Sequence, residues 1–266
     1  MSVPANEYRP MARLDFAWIG EAWRMFTALP GTWIGAVALY TLTLVLVMAI
    51  LAVPTGLYAY MVNLFRTIEA SGGGATPPGM TPHGEMLRFL PFSLILAAVE
   101  AVLNGGMYRM AIRQYRGESI NVGGIFSAFN VSWQLIVIAL VLAMVNEAVV
   151  FVQPNLGWVV SIILEGLFFL APLRIVDKRV GPIQALVDNL MLLRGQRWLG
   201  FFFYVFLYLI MILGSCCIVG IVVTLPLFIL TQGVSYMMMT EPRLPAAPEY
   251  GQPIEGVWPP PPNLGQ

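Results

Sequence analysis

"WLGFFFYVFLYLIMILGSCCIVGIVVTLPLFILTQGVSYMM", residues 198–238, carries no charged side chain. Wound as one α-helix at 1.5 Å per residue it would be about 60 Å long. The hydrocarbon core of a bilayer is only about 30 Å thick. The stretch must therefore fold back on itself. Gly214, Ser215, Cys216 and Cys217 make the natural hinge, giving one span over residues 198–213 and another over 217–238. Pro226 falls inside the second, a position that membrane helices tolerate.

The rest of the chain follows the same rule. Its 266 residues are 58% hydrophobic and 11% charged, with a mean hydropathy of +0.77, whereas soluble domains carry about 25% charged residues. So little charge cannot cover a water-facing surface, and an all-α membrane protein of about six transmembrane helices is expected. Four further apolar runs occupy residues 33–65, 87–111, 133–153 and 157–173. The first exceeds one span and should tilt or kink, most naturally at Pro54 and Gly56. A flexible Gly/Pro loop is expected over residues 69–85, and "QPNLG", residues 153–157, reads as a tight turn. Residues 1–12 are polar and read as a disordered N-terminus rather than a signal peptide. Residues 13–239 form the expected membrane domain. Residues 240–266, ending "VWPPPPNLGQ", are Pro-rich and expected to be a disordered cytoplasmic tail, partly polyproline II.

The formal net charge is zero, so no basic excess points to nucleic acid. Six spans put both termini on one side of the membrane. Of the 14 Lys and Arg residues, only Arg66 and Arg88 fall on the other side. That asymmetry places both termini in the cytoplasm. Cys216 and Cys217 are adjacent, a strained geometry for a disulfide, and read as small packing residues. "LGSC", residues 213–216, lies far from any N-terminal leader and is no lipoprotein cleavage site. His83, the one histidine, sits in the outer loop. No metal-ligand cluster, phosphate loop or nucleophile elbow accompanies it, so no metal, cofactor or catalytic residue is expected.

Three cytoplasmic segments share a pattern: "RLDFAWIGEAWRMFTALPGTW" (residues 13–33), "RGESINVGGIFSAFNVSW" (116–133) and "VDKRVGPIQALVDNLMLLRGQRW" (176–198). Each has charges, then a glycine (Gly20, Gly123, Gly181), an amphipathic stretch, and a tryptophan that opens a span. The expected units are three interfacial amphipathic helices in a repeated helix-plus-hairpin arrangement. Trp23, Phe26, Phe126 and Phe129 should dip into lipid, and Trp33, Trp133 and Trp198 should be interfacial anchors. The repeat is read either as duplication of a stable hairpin or as the internal symmetry of a transporter.

"MAIRQYRGESINVGGIFSAF" (residues 110–129) is similar to a signature of a widespread family of uncharacterised six-helix bacterial integral membrane proteins. "VDKRVGPIQALVDNLMLLRGQRW" with "ILGSCCIVGIVVTLPLFILTQGVSYM" (residues 212–237) resembles that family's closing segment. The membrane domain fused to some glycerophosphodiester phosphodiesterases is of the same general kind. The resemblance runs from Arg13 to Tyr236 and implies a multi-pass protein of the bacterial cytoplasmic membrane. It covers membrane segments alone, so the phosphodiesterase chemistry is not carried over.

The apolar spans contain three glutamates. Glu100 and Glu165 lie near the middle of spans two and four, and Glu147, beside Asn146, lies about 9 Å from the outer end of span three. Ser93, Ala97, Glu100, Asn104 and Tyr108 share one helical face. An ionised acid at mid-bilayer costs on the order of 2.5–3.5 kcal/mol, and no Lys or Arg lies near the middle of a span to offset it. The acids are therefore expected to stay neutral, donating hydrogen bonds as well as accepting them. Glu100, Asn104, Asn146, Glu147 and Glu165 form a candidate intramembrane polar pocket for a proton, a cation or a head group. The alternative is plain interhelical hydrogen bonding, at about 0.6 kcal/mol per bond. Two functions remain open. One is a non-enzymatic membrane-organising or accessory protein, partnered by the lipid bilayer and by a protein at the Pro-rich tail. The other is a transporter or binder of a small or lipid-like molecule.

Overall fold

A computed structural model describes residues 14–52, 82–153, 156–216 and 218–241. The expected kink at Pro54 and Gly56, most of the Gly/Pro loop, the N-terminal segment, Cys217 and residues 242–266 lie outside the described residues. In chain order the elements are α1 (Trp18–Ala28), α2 (Pro30–Ala52), α3 (Pro82–Tyr115), a 3-10 helix (Val122–Val131), α4 (Ser132–Val152), α5 (Gly157–Phe168), α6 (Ala171–Lys178), α7 (Pro182–Leu192), α8 (Arg197–Ser215) and α9 (Ile218–Thr240). No strand occurs among the described residues.

Six helical stretches are long and apolar enough to cross a membrane: Pro30–Ala52, Leu90–Tyr115, Val122–Val152, Val159–Lys178, Arg197–Ser215 and Gly220–Thr240. The protein is an all-α, multi-pass membrane protein. The apolar run that had to fold back does so between Ser215 and Ile218. The two arms approach closely there, because a Cβ on Gly220 would stand 1.9 Å from the Gly214 carbonyl oxygen. Bounds differ from expectation at four places. The third span starts at Val122 rather than Trp133. α3 begins at Pro82, inside the stretch expected to be loop, and runs to Tyr115. α9 continues to Thr240, where the tail was expected to start. The fourth span is broken at Phe169 and Leu170 and resumes as α6, so it reaches Lys178 rather than Leu173.

The centre of the bundle is α9, where every residue from Ile229 to Met237 is buried. It packs against α1, α2, α3 and α8. Its hydroxyls turn inward on their own helix: Thr231 donates to the Leu227 carbonyl and Ser235 to the Thr231 carbonyl, both at 2.7 Å. A polar side chain satisfied this way can be enclosed without a distant partner. Around it, α2, α4 and α8 present Leu42, Leu46, Ile50, Val141, Met144 and Phe202 outward, as lipid-facing helix surfaces do.

The three segments with the shared pattern fold as α1, the 3-10 helix and α7, and the 3-10 helix forms the first part of the third apolar stretch, Val122–Val152. The second is not the α-helix its amphipathicity suggests. Val122, Ile125, Ala128 and Val131 recur every third residue, and the last three are buried. A helix with three residues per turn stacks these positions on one face. α7 begins in the expected way, with Gly181 at its N-cap and Pro182 at its first position. Gly20, by contrast, lies inside α1.

Two of the aromatic expectations are corrected. Phe26 is buried in the core, not turned to lipid, because α1 lays its Trp18, Ala22, Met25 and Phe26 face on the bundle. Trp33 is fully enclosed. Its indole N–H donates to Gln114 Oε1 at 2.8 Å, and Gln114 Nε2 donates to the Met25 carbonyl at 2.7 Å. One glutamine thus ties the end of α1 and the start of α2 to α3. Trp133 and Trp198 remain 59% and 75% exposed.

The ends of spans two, four and six meet at one surface. Asp177, with only 3% of its side chain exposed, pairs with Arg116 at 2.8 Å and Lys178 at 3.2 Å. Tyr236 donates to it at 2.8 Å. Glu241 pairs with Arg116 at 2.8 Å and Lys178 at 3.1 Å. The Arg116 hydrogen bonds hold the Glu241 carboxyl below the usual carboxylate range, and the same contacts push the Arg116 guanidinium further up. Two cations and two anions close this knot electrically.

Candidate functional site

Three spans supply a polar cavity. On α3 the chemistry comes from residues at helical spacing: Ser93, Glu100, Asn104 and Tyr108. α4 brings Asn146 and Glu147, and α5 brings Ser161 and Glu165. The space between them, about 430 Å³, exists because the facing positions are small, among them Ala97, Ala101, Ala139 and Ala143. All five residues expected to form a pocket from sequence line this one cavity. Glu100 lies ten residues, about 15 Å, from Leu90 at the start of its span, so the cavity sits at membrane depth.

The neighbours of these groups were not legible in the sequence. Tyr204 on α8, itself buried, donates its hydroxyl to Glu165 Oε2. Tyr40 on α2 stands beside Asn104. Tyr108 donates to Gln232 Oε1 at 2.9 Å, so the cavity wall connects to the central helix. The available signal was a tyrosine inside an otherwise apolar span, since a buried phenol O–H needs an acceptor. Asn146 Oδ1 is buried and has no hydrogen-bond partner among the described residues. No Lys or Arg among the described residues lines the cavity. The lining is therefore rich in acceptors: three carboxyls and an unfilled amide oxygen. It suits a guest that brings hydrogen-bond donors.

Trp33, Trp133 and Trp198 take no part in this cavity. The described residues hold no group of three His, Cys, Asp or Glu side chains able to bind a metal ion, and the side chain of His83 is outside the described set. Comparison of the chain with protein-family models, with curated proteins and with solved structures gives no match.

Proposed function

We propose that the protein binds, and carries across or within the membrane, a small or lipid-like molecule seated in the cavity between α3, α4 and α5. The supporting observation is the convergence of Glu100, Asn104, Asn146, Glu147 and Glu165, from three spans, on one space with an unfilled buried acceptor. Simple interhelical adhesion needs side chains paired with each other across a closed interface. An open cavity of about 430 Å³ with acceptors on its walls supports binding instead. The proposed role is binding rather than catalysis. The accessory role with a docking tail rests on residues outside the described set. The kinship carried by residues 110–129 and 176–198 is part of this proposal and brings no catalytic residue with it.

The test is native mass spectrometry of the purified wild type beside Glu100→Gln, Glu147→Gln and Glu165→Gln combined. Glutamine keeps the shape and removes the acid. A discrete small molecule or head-group-selective lipid should co-purify with the wild type and be lost from the variant, which should still elute as the same species. Bulk phospholipid alone in both samples would sink the proposal.

We also propose that the membrane is the bacterial cytoplasmic membrane, with both termini in the cytoplasm. Support comes from the bias of Lys and Arg toward the terminal side. Cys216 is exposed at the opposite end of α8. In a Cys217→Ser variant, an impermeant thiol reagent should label Cys216 from outside intact cells. Labelling restricted to inverted vesicles reverses the orientation.

A further inference from the structure

A second pocket, of about 300 Å³, opens at the end of α3 against α6, with no residue in common with the acidic cavity, and Arg109, Arg113, Arg116, Asp177 and Arg179 line it. Its charges do not cancel. Arg116 and Asp177 belong to the closed four-charge knot with Lys178 and Glu241. Arg113 pairs with Glu118 at 2.8 Å. Arg109 and Arg179 make no ion pair among the described residues, so two positive charges are left over.

Arg109 is held in place entirely by neutral groups. Its Nη1 donates to the Ser127 carbonyl and to Asn130 Oδ1, and its Nη2 donates to the Val176 carbonyl at 3.4 Å. A guanidinium has five N–H groups, so two have no partner among the described residues, on a side chain whose orientation is already set. Two N–H donors on one planar fork match two oxygens of a phosphate. Arg109 also precedes Arg113 by one turn on the same face of α3, a pair of like charges that an intervening anion relieves.

Arg179 adds an independent sign. It ends α6 with φ of 54°, the left-handed region, and donates its amide to the Ile175 carbonyl at 2.9 Å. Glycine takes that position without strain. Here an exposed arginine occupies it, at the lip of the pocket. Backbone strain of this kind is commonly retained where the side chain has a task. Arg109 lies six residues, about 9 Å, inside the end of its span. From that depth a long arginine side chain can snorkel toward the head-group region.

We propose that Arg109, Arg113 and Arg179 form a binding site for a phosphate-bearing anion, as carried by an anionic phospholipid head group or by free phosphate. Basic pockets between membrane helices are the known chemical solution for such head groups. The site is separate from the acidic cavity and does not depend on that cavity's proposed ligand.

The experiment places the full chain in nanodiscs of phosphatidylcholine alone, and of phosphatidylcholine and phosphatidylglycerol in equal amounts. Lipid retention is read by native mass spectrometry and thermal unfolding by scattering. The wild type should retain phosphatidylglycerol selectively and melt higher in its presence. Arg179→Gly should lower that retention about fivefold, the effect of one basic residue at an anionic surface. Because glycine relaxes the backbone there, this variant should melt no lower than wild type in phosphatidylcholine alone. Arg24→Gln, at an exposed arginine paired with Glu21 on α1, should leave retention unchanged. Inorganic phosphate added to the phosphatidylcholine sample distinguishes the sources. A matching rise in melting temperature, lost in Arg179→Gly, assigns the site to free phosphate, and no rise assigns it to the lipid. Equal retention of both lipids with no phosphate effect overturns the proposal. So does an equal loss from Arg24→Gln and Arg179→Gly, which reduces the selectivity to diffuse surface charge.

Discussion

Gly106→Ala is expected to destabilise the protein by about 3 kcal/mol or more, an extreme effect for a single methyl group. A Cβ at this position would stand 1.8 Å from the carbonyl oxygen of Ile125, 2.3 Å from its carbonyl carbon and 2.7 Å from its Cα. Those atoms are backbone in the middle of the 3-10 helix, and Ile125 itself is fully buried. The helix cannot yield without withdrawing the whole Ile125, Ala128 and Val131 face from α3. The neighbouring glycine provides the control. A Cβ on Gly105 would meet Leu135 Cδ1 at 2.4 Å and Ala128 Cβ at 3.2 Å. The first of these is the end of a flexible side chain, so Gly105→Ala should cost less. Thermal unfolding and size-exclusion profiles in one detergent measure both. If Gly106→Ala melts within a few degrees of wild type while Gly105→Ala collapses, the close backbone approach is not what holds α3 to the 3-10 helix.

Asn189→Leu should be the next most damaging change, at about 2–5 kcal/mol. Asn189 projects from α7 and is 0% exposed. Its Nδ2 donates to the Leu167 carbonyl at 2.6 Å, and its Oδ1 accepts from the Leu170 amide at 3.0 Å. These two backbone groups belong to the break between α5 and α6. At membrane depth no water is at hand to satisfy them, so a break is tolerated only where protein supplies the partners. Leucine has nearly the same size and provides neither. Each buried backbone group left unpaired costs about 1–3 kcal/mol. A neutral Asn189→Asp carboxyl still accepts from the Leu170 amide and can donate its O–H to the Leu167 carbonyl, so this variant should fall between the wild type and Asn189→Leu. Hydrogen exchange at the Leu170 amide gives a local reading alongside the melting temperature. Unchanged protection at Leu170 in Asn189→Leu would show that the side chain does not staple the break. Glu165 lies five residues before Leu170, so the same substitution should also loosen its contact with Tyr204.

The two residues differ in what a reader of the sequence can see. Gly106 lies in an ordinary "NGGM", and Asn189 reads as one polar residue in an amphipathic helix. Neither has a local signature, because each acts on a segment 19 or more residues away. The acidic cavity stands between these cases. Ser93, Glu100, Asn104 and Tyr108 share a face by arithmetic of 3.6 residues per turn, and an acid in an apolar span is conspicuous by itself. Their convergence with Asn146, Glu147 and Glu165 required depth alone to be estimated, and depth follows from counting residues. The tyrosines that accompany them, Tyr40 and Tyr204, approach from helices whose rotation is set by packing.

Consecutive residues alone reveal the number of spans, the hairpin within residues 198–238, the bias of cations to one side and the residues available for a polar pocket. Hydropathy and helical spacing are properties of consecutive residues, so they survive without knowledge of neighbours. Which way each helix turns, and where regular helix gives way, emerges only from the packing of distant segments. Trp33 and Trp198 have the same sequence role at the head of a span, yet the first is enclosed and the second is 75% exposed. The difference is Gln114, 81 residues downstream of Trp33, which receives its indole N–H. In a bilayer every helix has an apolar surface, so hydrophobicity cannot choose which side faces protein. That choice falls to close packing at small residues and to hydrogen bonds between distant segments, and both exist only once the helices have met.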